Sequence, residues 1–386
     1  MLKYLSEAEK QIFQDACSYI DTYSGDHELI LEAETGEYIF GGPESRRFIK
    51  GFAAKGWLVP HWPAKYGGLG ASQTLNFSIR NALSRAGLPT YFTAAHMAGD
   101  MIMEYGSDYL KSTFLRPIAR GEIEFAVGYS EPGAGSDMLS LKMKAEDRGD
   151  HYLVNGQKVF NTHAHVAEYH WLAVRTDPQA PNHQAISILL VDLDSKGITV
   201  RPMISVAGTR TNEVFYDDVR VPKNRLVGHE NQGVVYPMGQ LARERMFPPG
   251  QHLRHFASLV EHVKQLPDGI DKGIFRLRLA ECEIELEASR LLYELCPVLM
   301  DQGIRPEIES SLEKLFISEA AQKLSKLGLD IYRNAGFGTQ QVGPSHLTVN
   351  AVDKYLANLV LTIYGGASEI QRNILAQRGL GLPRIR

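Results

Sequence analysis

The sequence predicts a protein in three parts: an N-terminal helical domain, a middle antiparallel β domain and a C-terminal helical bundle. Three observations support this order. Apolar residues recur at helical spacing near the N-terminus, short runs of strand-forming residues fill the middle of the chain, and long helical patterns return towards the C-terminus. We therefore place the three domains at residues 1–122, 123–228 and 229–386.

The N-terminal helices are predicted from apolar residues three or four positions apart, beginning with Leu5, Ile12, Phe13, Ala16 and Ile20. The stretch WPAKYGGLGAS at 62–72 interrupts this pattern. It predicts a loop, because Pro63 and the paired glycines disfavour a continuous helix. A second helical block is expected at 92–107.

The middle domain is predicted from runs of strand-forming residues at 125–130, 151–162, 185–193, 198–203 and 214–221. The second run contains Asn155 and Gly156. Asn-Gly is a preferred pair in two-residue hairpin turns, so the sequence predicts a turn between two strands there.

The C-terminal domain is predicted from long helical patterns at 276–302 and 309–332. The segment GQLARERMFPP at 239–249 predicts the first helix of this domain. Pro248 and Pro249 lack the N–H groups that a helix requires, so we expect a kink at this point.

Composition and charge indicate a well-packed globular protein. The 386 residues are 44% hydrophobic and 22% charged, with a net charge of −4, so no overall basic field favours nucleic acid or a membrane surface. Cys17, Cys282 and Cys296 are scattered, which is typical of a reducing cytosol and indicates a cytoplasmic location. No run of about 18 apolar residues predicts a membrane span.

The segment SEPGAGSD at 130–137 is a candidate ligand loop. Pro132 fixes one φ angle, while Gly133 and Gly135 permit positive φ angles. Such a loop can bring backbone N–H groups close to a flat or anionic ligand. An ordinary tight turn between strands is the alternative interpretation of this segment alone.

Five segments in one order, WPAKYGGLG, SEPGAGSD, GQKVFNT, VPKNRLVG and SEIQRN, give the chain its resemblance to the acyl-CoA dehydrogenase family. The resemblance covers most of the chain. It implies bound FAD, an acyl-CoA thioester substrate and α,β-dehydrogenation, with an electron-transfer flavoprotein as the electron acceptor.

The resemblance also implies which residues bind the ligands. Phe160 stands where the family usually has a tryptophan against the flavin, Ser136 would lie between the flavin and the phosphates of CoA, and Arg245 would lie near the CoA. The cofactor-binding residues expected from the matching segments are Val127, Tyr129, Ser130, Gly135, Ser136, Phe160, Asn161 and Thr162.

The catalytic base is the main question that the sequence raises. Many family members carry an acidic residue after the tyrosine of the closing segment, but Tyr364 is followed here by Gly365. In one branch of the family the base directly precedes the arginine near the CoA, and Glu244 precedes Arg245 in this chain. A solvated, charged helix face is the alternative interpretation of Glu244.

Gly365 retains the backbone N–H that, by the resemblance, would hydrogen-bond the thioester oxygen. The small residues of the Gly365-Gly366-Ala367 segment leave room for a bulky or branched acyl group, as in relatives that act on steroid side chains. The expected substrate is therefore a bulky acyl-CoA in lipid or steroid degradation.

Two segments that hold the adenylate part of a neighbour's FAD in the family differ here. The segment 259–281 lacks the Arg-x-x-Phe-Gly motif, and Asp330, Arg333 and Asn334 replace a Gln-x-x-Gly-Gly motif. We therefore expect a heterotetramer of the α2β2 type with a homologous subunit. A homotetramer that binds the adenylate through other residues is the alternative.

Other interpretations of the chain are kept open. One is a non-catalytic partner subunit, and another is a flavin-dependent oxygenase on the same fold. His163 and His165 are close enough in sequence to suggest a metal site, but no acidic or cysteine partner is evident nearby, and we interpret them as loop residues.

Overall fold

The computed structural model describes residues 1–34, 41–90, 92–233, 245–334 and 351–383, and it confirms the predicted helical, β, helical order. The first part contains helices α1 to α6, which are Glu7–Asp21, His27–Glu34, Pro43–Ala53, Gln73–Ala86, Gly99–Tyr105 and Asp108–Ala119. Ser6, Ser72 and Ser107 each cap a helix by accepting the backbone N–H of the residue three positions later.

The segment 62–72 is a loop as predicted, with a short 3-10 turn at Ala64–Tyr66. The predicted second helical block is also present. It begins as a π-turn at Ala94–Ala98 and continues directly as α5. These N-terminal helices pack on one face of the β-sheet, where they bury Phe125, Trp171 and Ile188.

One sheet of eight strands forms the middle of the protein. The strands β1 to β8 are Phe125–Gly128, Lys144–Asp147, His151–Lys158, Tyr169–Arg175, Ile186–Asp192, Ile198–Ile204, Arg210–Pro222 and Leu226–Val227. Their order is β6-β7-β3-β2-β4-β5-β8, and β1 pairs with β4. Most pairs are antiparallel, as predicted, whereas β1–β4 and β2–β4 are parallel. The strands β2 and β4 were not among the predicted runs.

The predicted hairpin turn at Asn155-Gly156 is wrong. Both residues lie inside β3, which pairs with β7 across a β-bulge. Asn155 Oδ1 accepts the backbone N–H of Asp218 at 2.9 Å, and Asn155 Nδ2 donates to Asp218 Oδ1 at 2.9 Å. Asp218 has a φ of 48°, so the Asn155 side chain supports the irregular residue of the bulge rather than a turn.

The C-terminal helices α7 to α11 are Gly250–Lys264, Lys272–Asp301, Glu307–Asn334, Ala351–Asn358 and Ser368–Ile374. The two long predicted helices correspond to α8 and α9. Within the described residues, the helix predicted at 239–249 is wrong for 245–249, which are irregular. Helix α7 begins at Gly250, because Pro248 and Pro249 cannot donate helical hydrogen bonds. Glu244 lies outside the described residues.

The end of α8 caps a helix of the N-terminal domain. Asp301 accepts the backbone N–H groups of Gln73 at 2.7 Å and Thr74 at 3.0 Å, and it also accepts the Thr74 hydroxyl at 2.7 Å. A carboxylate at a helix N-terminus stabilises both the free N–H groups and the helix dipole.

We expect Asp301→Ala to lower the free energy of unfolding by about 1–2 kcal/mol, because α4 then loses its carboxylate cap. Denaturant unfolding would measure this change. Asp301→Asn is the control, since it keeps an acceptor for one N–H group and should lose less. Equal midpoints for the two variants would contradict the capping role.

Among the described helices, none is long and apolar enough to span a membrane.

Candidate active site

The glycine-rich loop follows β1 and turns tightly. Glu131 and Ala134 exchange both backbone hydrogen bonds, at 2.9 and 3.1 Å. A Cβ atom added to Gly133 or Gly135 would meet nothing within 4 Å. In the described part of the chain, no acceptor pairs with the N–H groups of Gly133, Gly135 or Ser136. The loop therefore presents free donors to open space.

A buried ion pair between Lys158 and Glu131 fixes the position of this loop. Lys158 Nζ donates to Glu131 Oε1 at 2.9 Å and to the Tyr129 carbonyl at 3.1 Å. Glu131 also accepts the backbone N–H groups of Lys142 and Met143. Burial lowers the pKa of Lys158 to about 8, although the attraction of Glu131 opposes that shift. Both residues lie inside segments that the sequence singled out, but the motifs did not reveal their pairing.

Phe160 presents an aromatic face beside the loop. The side chain is 64% exposed and the residue has a φ of 60°. Its neighbour Asn161 is buried and fixes the backbone, since Asn161 Nδ2 donates to the Val127 carbonyl at 2.7 Å. Val159 N–H donates to the Ser130 carbonyl at 3.0 Å, which places the Phe160 segment next to the glycine-rich loop.

The structure thus brings Val127, Tyr129 and Ser130 together with the Phe160 segment at one end of β1 and β3. Thr162, two residues after Phe160, is exposed. Gly135 and Ser136 are exposed in the glycine-rich loop. His163 is buried, and Asn212 Nδ2 lies 3.1 Å from His165 Nδ1. Across the described ranges, no group of three His, Cys, Asp or Glu residues could hold a metal ion.

A second cluster surrounds Gly365. Gly365 and Gly366 have φ angles of 63° and 86°, which favour glycine at both positions. Gln371 Nε2 donates to the Gly366 carbonyl at 2.9 Å and to the Gly365 carbonyl at 3.4 Å. Among the described residues, no acceptor pairs with the Gly365 N–H. This N–H can therefore donate to a ligand.

Arg245 belongs to the same cluster. It is 6% exposed, and its Nη1 atom lies 3.4 Å from Ser311 Oγ. A Cβ atom added to Gly366 would lie 3.9 Å from Arg245 Nε. Two of the site residues expected from the sequence, Arg245 and Gly365, therefore lie on adjoining segments.

Helix α9 adds two buried charges that sequence reasoning missed. Glu313 and Lys314 are both fully buried. Glu313 Oε2 accepts the Phe247 N–H at 3.3 Å, and burial raises the pKa of this carboxyl well above its usual range. Phe247 also packs edge-on against Tyr364, with ring centroids 5.5 Å apart. An isolated Glu-Lys pair in a helical pattern gives no sequence signal of burial.

The first cluster, formed by the glycine-rich loop and the Phe160 segment, fits a cofactor with a flat ring and anionic groups. The Phe160 ring can stack on an aromatic ligand. The free N–H groups at Gly133, Gly135 and Ser136 can bind oxygens of a phosphate or a ring. Open space in front of both glycines leaves room for that approach.

Three family models match the chain: the acyl-CoA dehydrogenase N-terminal domain over residues 7–122, the middle domain over 126–219 and the C-terminal domain over 231–380. The chain belongs to the acyl-CoA dehydrogenase family, as its motifs indicated. It is an acyl-CoA dehydrogenase oxidoreductase with FAD as its cofactor.

Individual relatives agree with this assignment. The chain is 33% identical to acyl-CoA dehydrogenase FadE26 of Mycobacterium tuberculosis, over 97% of each protein. The structure is similar to that of the Tcur3481-Tcur3483 steroid ACAD, with a TM-score of 0.88 and 30% identity over 99% of each chain. It is also similar to a chain of the ChsE4-ChsE5 complex from Mycobacterium tuberculosis, with a TM-score of 0.85 and 31% identity over 99% of each chain.

Proposed function

We propose that this protein dehydrogenates a bulky acyl-CoA thioester, of the steroid side-chain, branched or cyclic class, between its α and β carbons. The proposal rests on the side chains that surround Gly365. A Cβ atom at this position would lie 3.6 Å from Phe247 Cζ and 4.0 Å from Lys314 Cε, so no side chain fills the position of the missing acid, and an aromatic ring borders it. Similarity to a steroid ACAD supports the same substrate class.

In the proposed mechanism, Glu244 takes the α proton of the substrate. The Gly365 N–H donates to the thioester oxygen and stabilises the negative charge that develops there. Gln371 fixes the carbonyls of Gly365 and Gly366, and so holds the N–H in place. Arg245 binds the CoA part. Bound FAD would accept the hydride that leaves the β carbon, and a double bond forms between the two carbons.

The first cluster is the proposed cofactor site. The ring of Phe160 would lie against the flavin, with Asn161 and Thr162 beside it. The loop that follows β1 would bind the flavin and the pyrophosphate through Val127, Tyr129, Ser130, Gly135 and Ser136. Ser136 would also approach the CoA phosphates. An electron-transfer flavoprotein is the proposed electron acceptor.

A homologous subunit is the proposed partner, in an α2β2 heterotetramer. Helix α8 carries exposed apolar residues at the spacing of a helix interface, namely Ile274, Leu277, Ile284, Leu291 and Leu295. We call this surface the α8 stripe. An exposed apolar stripe of this length is typical of a subunit interface. Complexes named for two chains, such as ChsE4-ChsE5, support a second type of subunit.

The visible absorption spectrum tests this assembly. We expect the chain purified alone to hold little flavin, and the chain produced with its homologous partner to hold about one flavin per two polypeptides. The reason is that the adenylate contacts differ here. Asp330, in place of one of them, receives a hydrogen bond from Arg278 Nη1 at 2.8 Å. One flavin per polypeptide in the chain alone would contradict the heterotetramer.

A variant of the α8 stripe separates assembly from cofactor chemistry. Ile284→Glu should prevent assembly, because Ile284 is 71% exposed and central in the stripe. Val206→Glu is the matched control, since it places the same charge on an exposed apolar residue outside α8. Mass measurement of both variants in solution would show whether the stripe is the interface. Equal masses for the two would exclude it.

A further inference from the structure

Lys314 is a buried cation for which the described residues provide no hydrogen-bond acceptor. It lies on α9 and is fully buried, and within the described part of the chain its Nζ atom makes no hydrogen bond. Burial of an ammonium group is unfavourable unless a counter-charge or hydrogen bonds compensate it. A position of this kind is often kept for function rather than for stability.

The end of this side chain lies close to Gly365, whose N–H is the proposed donor to the thioester oxygen. Its Cε atom lies 4.0 Å from the place that a Cβ atom on Gly365 would occupy. The Gly365 N–H belongs to the same residue, and Gln371 holds the two glycine carbonyls in their orientation. The charged end of the Lys314 side chain therefore packs beside the residue that carries the free N–H.

We propose that the Lys314 ammonium stabilises the negative charge that forms on the acyl thioester when its α proton leaves. The inference rests on the proposed function of the site. Lys314 acts through the electrostatic field at the Gly365 N–H and does not itself take a proton, so it is a positioning residue. A positive charge in a water-poor site lowers the free energy of a nearby enolate more than it does in water.

The charge on Lys314 depends on its surroundings. Burial and the nearby Arg245 lower its pKa to about 8, while Glu313, Glu369 and Glu319 oppose the shift. Lys314 is therefore mostly protonated at pH 7, and it loses its charge as the pH rises through about 8. The stabilisation of the enolate should decline over the same pH range.

The test uses the complete flavin-loaded assembly and a 3-ketoacyl-CoA such as acetoacetyl-CoA, whose enolate has its own ultraviolet absorption. A pH titration gives the apparent pKa of the bound ligand. We expect Lys314→Met to raise this pKa by about one unit, which is a tenfold loss of enolate stabilisation. Lys314→Arg, which keeps the charge, should restore most of it.

Lys326→Met is the matched control, because Lys326 is exposed on the same helix. We expect it to leave the ligand pKa unchanged. The melting temperature gives a second readout: Lys314→Met should keep or raise it, since the variant removes a buried charge. If Lys314 had only a structural role, Lys314→Met would instead lower the melting temperature and leave the pKa of the ligand unchanged.

The outcomes separate the two proposals. If the wild-type protein lowers the pKa of the ligand and Lys314→Met lowers it equally, the role of Lys314 is wrong and the proposed function stands. If the wild-type protein binds FAD but does not change the pKa of the ligand, the proposed acyl-CoA site is wrong and this inference falls with it.

Discussion

Replacing Glu244 with glutamine should reduce the rate of acyl-CoA dehydrogenation by about 100- to 10,000-fold, the usual range for removal of a general base. Glutamine has nearly the shape of glutamate but cannot accept the α proton. Flavin content and assembly should therefore remain at wild-type levels. Single-turnover bleaching of the flavin absorption would measure the rate.

A second readout tests proton abstraction directly. In deuterium oxide the wild-type protein should exchange the α proton of a bound acyl-CoA, and Glu244→Gln should not. Glu122→Gln is the control, because it makes the same change at an exposed glutamate. Unchanged turnover and exchange in Glu244→Gln would remove Glu244 as the base and would favour the non-catalytic partner subunit. Rapid oxygen consumption by the reduced wild-type protein would favour the oxygenase.

Replacing Glu131 with alanine should lower the free energy of unfolding by about 3–5 kcal/mol, the usual cost of breaking a buried ion pair from one side. Lys158 would then remain fully buried without its counter-charge. The backbone N–H groups of Lys142 and Met143 would also lose their acceptor. Because these contacts hold the glycine-rich loop, we expect most of the FAD to be lost as well.

The double variant Glu131→Gln with Lys158→Met is the control for this prediction. It removes both charges together and keeps an acceptor oxygen for one of the two backbone N–H groups. Its stability should lie much closer to that of the wild type. Denaturant unfolding and flavin content would be measured for both variants. A loss below about 1 kcal/mol in Glu131→Ala would show that the ion pair does not hold the loop.

The sequence was sufficient for the fold because its motifs and its periodicity agreed. Long helical patterns predicted α8 and α9 within a few residues. The strand β4 was missed because the segment that begins with His163 and His165 was interpreted as a loop, and β4 begins only at Tyr169. The division of the chain at residues 122 and 228 remains a prediction, although the order of helical and β regions is confirmed.

The prediction of a turn at Asn155-Gly156 was wrong because the two residues face a β-bulge, and the residue pattern of β7 indicates that bulge. In β7 the buried apolar residues are Val214 and Tyr216, and then Val219 and Val221. The alternation changes phase between the two pairs, which is the pattern that a bulge produces. A two-residue preference was therefore given more weight than the longer pattern of the partner strand.

The candidate site was only partly predictable from sequence. Motifs located the loop after β1, the aromatic Phe160 and the glycines near Tyr364. They could not show that Lys158 and Glu131 are paired, or that Gln371 binds two glycine carbonyls, since these contacts depend on packing between distant segments. Lys314 was missed for the same reason, because burial on α9 depends on which helix face meets the closing segment.

The contacts of α8 with the N-terminal helices have a consequence for how the protein unfolds. Besides the cap that Asp301 gives to α4, the Tyr293 hydroxyl donates to the Phe77 carbonyl at 3.1 Å in the same interface. The two helical regions lie at opposite ends of the chain, yet they share one buried boundary. We therefore expect them to melt in a single cooperative transition, so that a fragment ending before α7 would expose an apolar face of α4 and fail to fold by itself. The units recognised in the sequence are then not the units of folding.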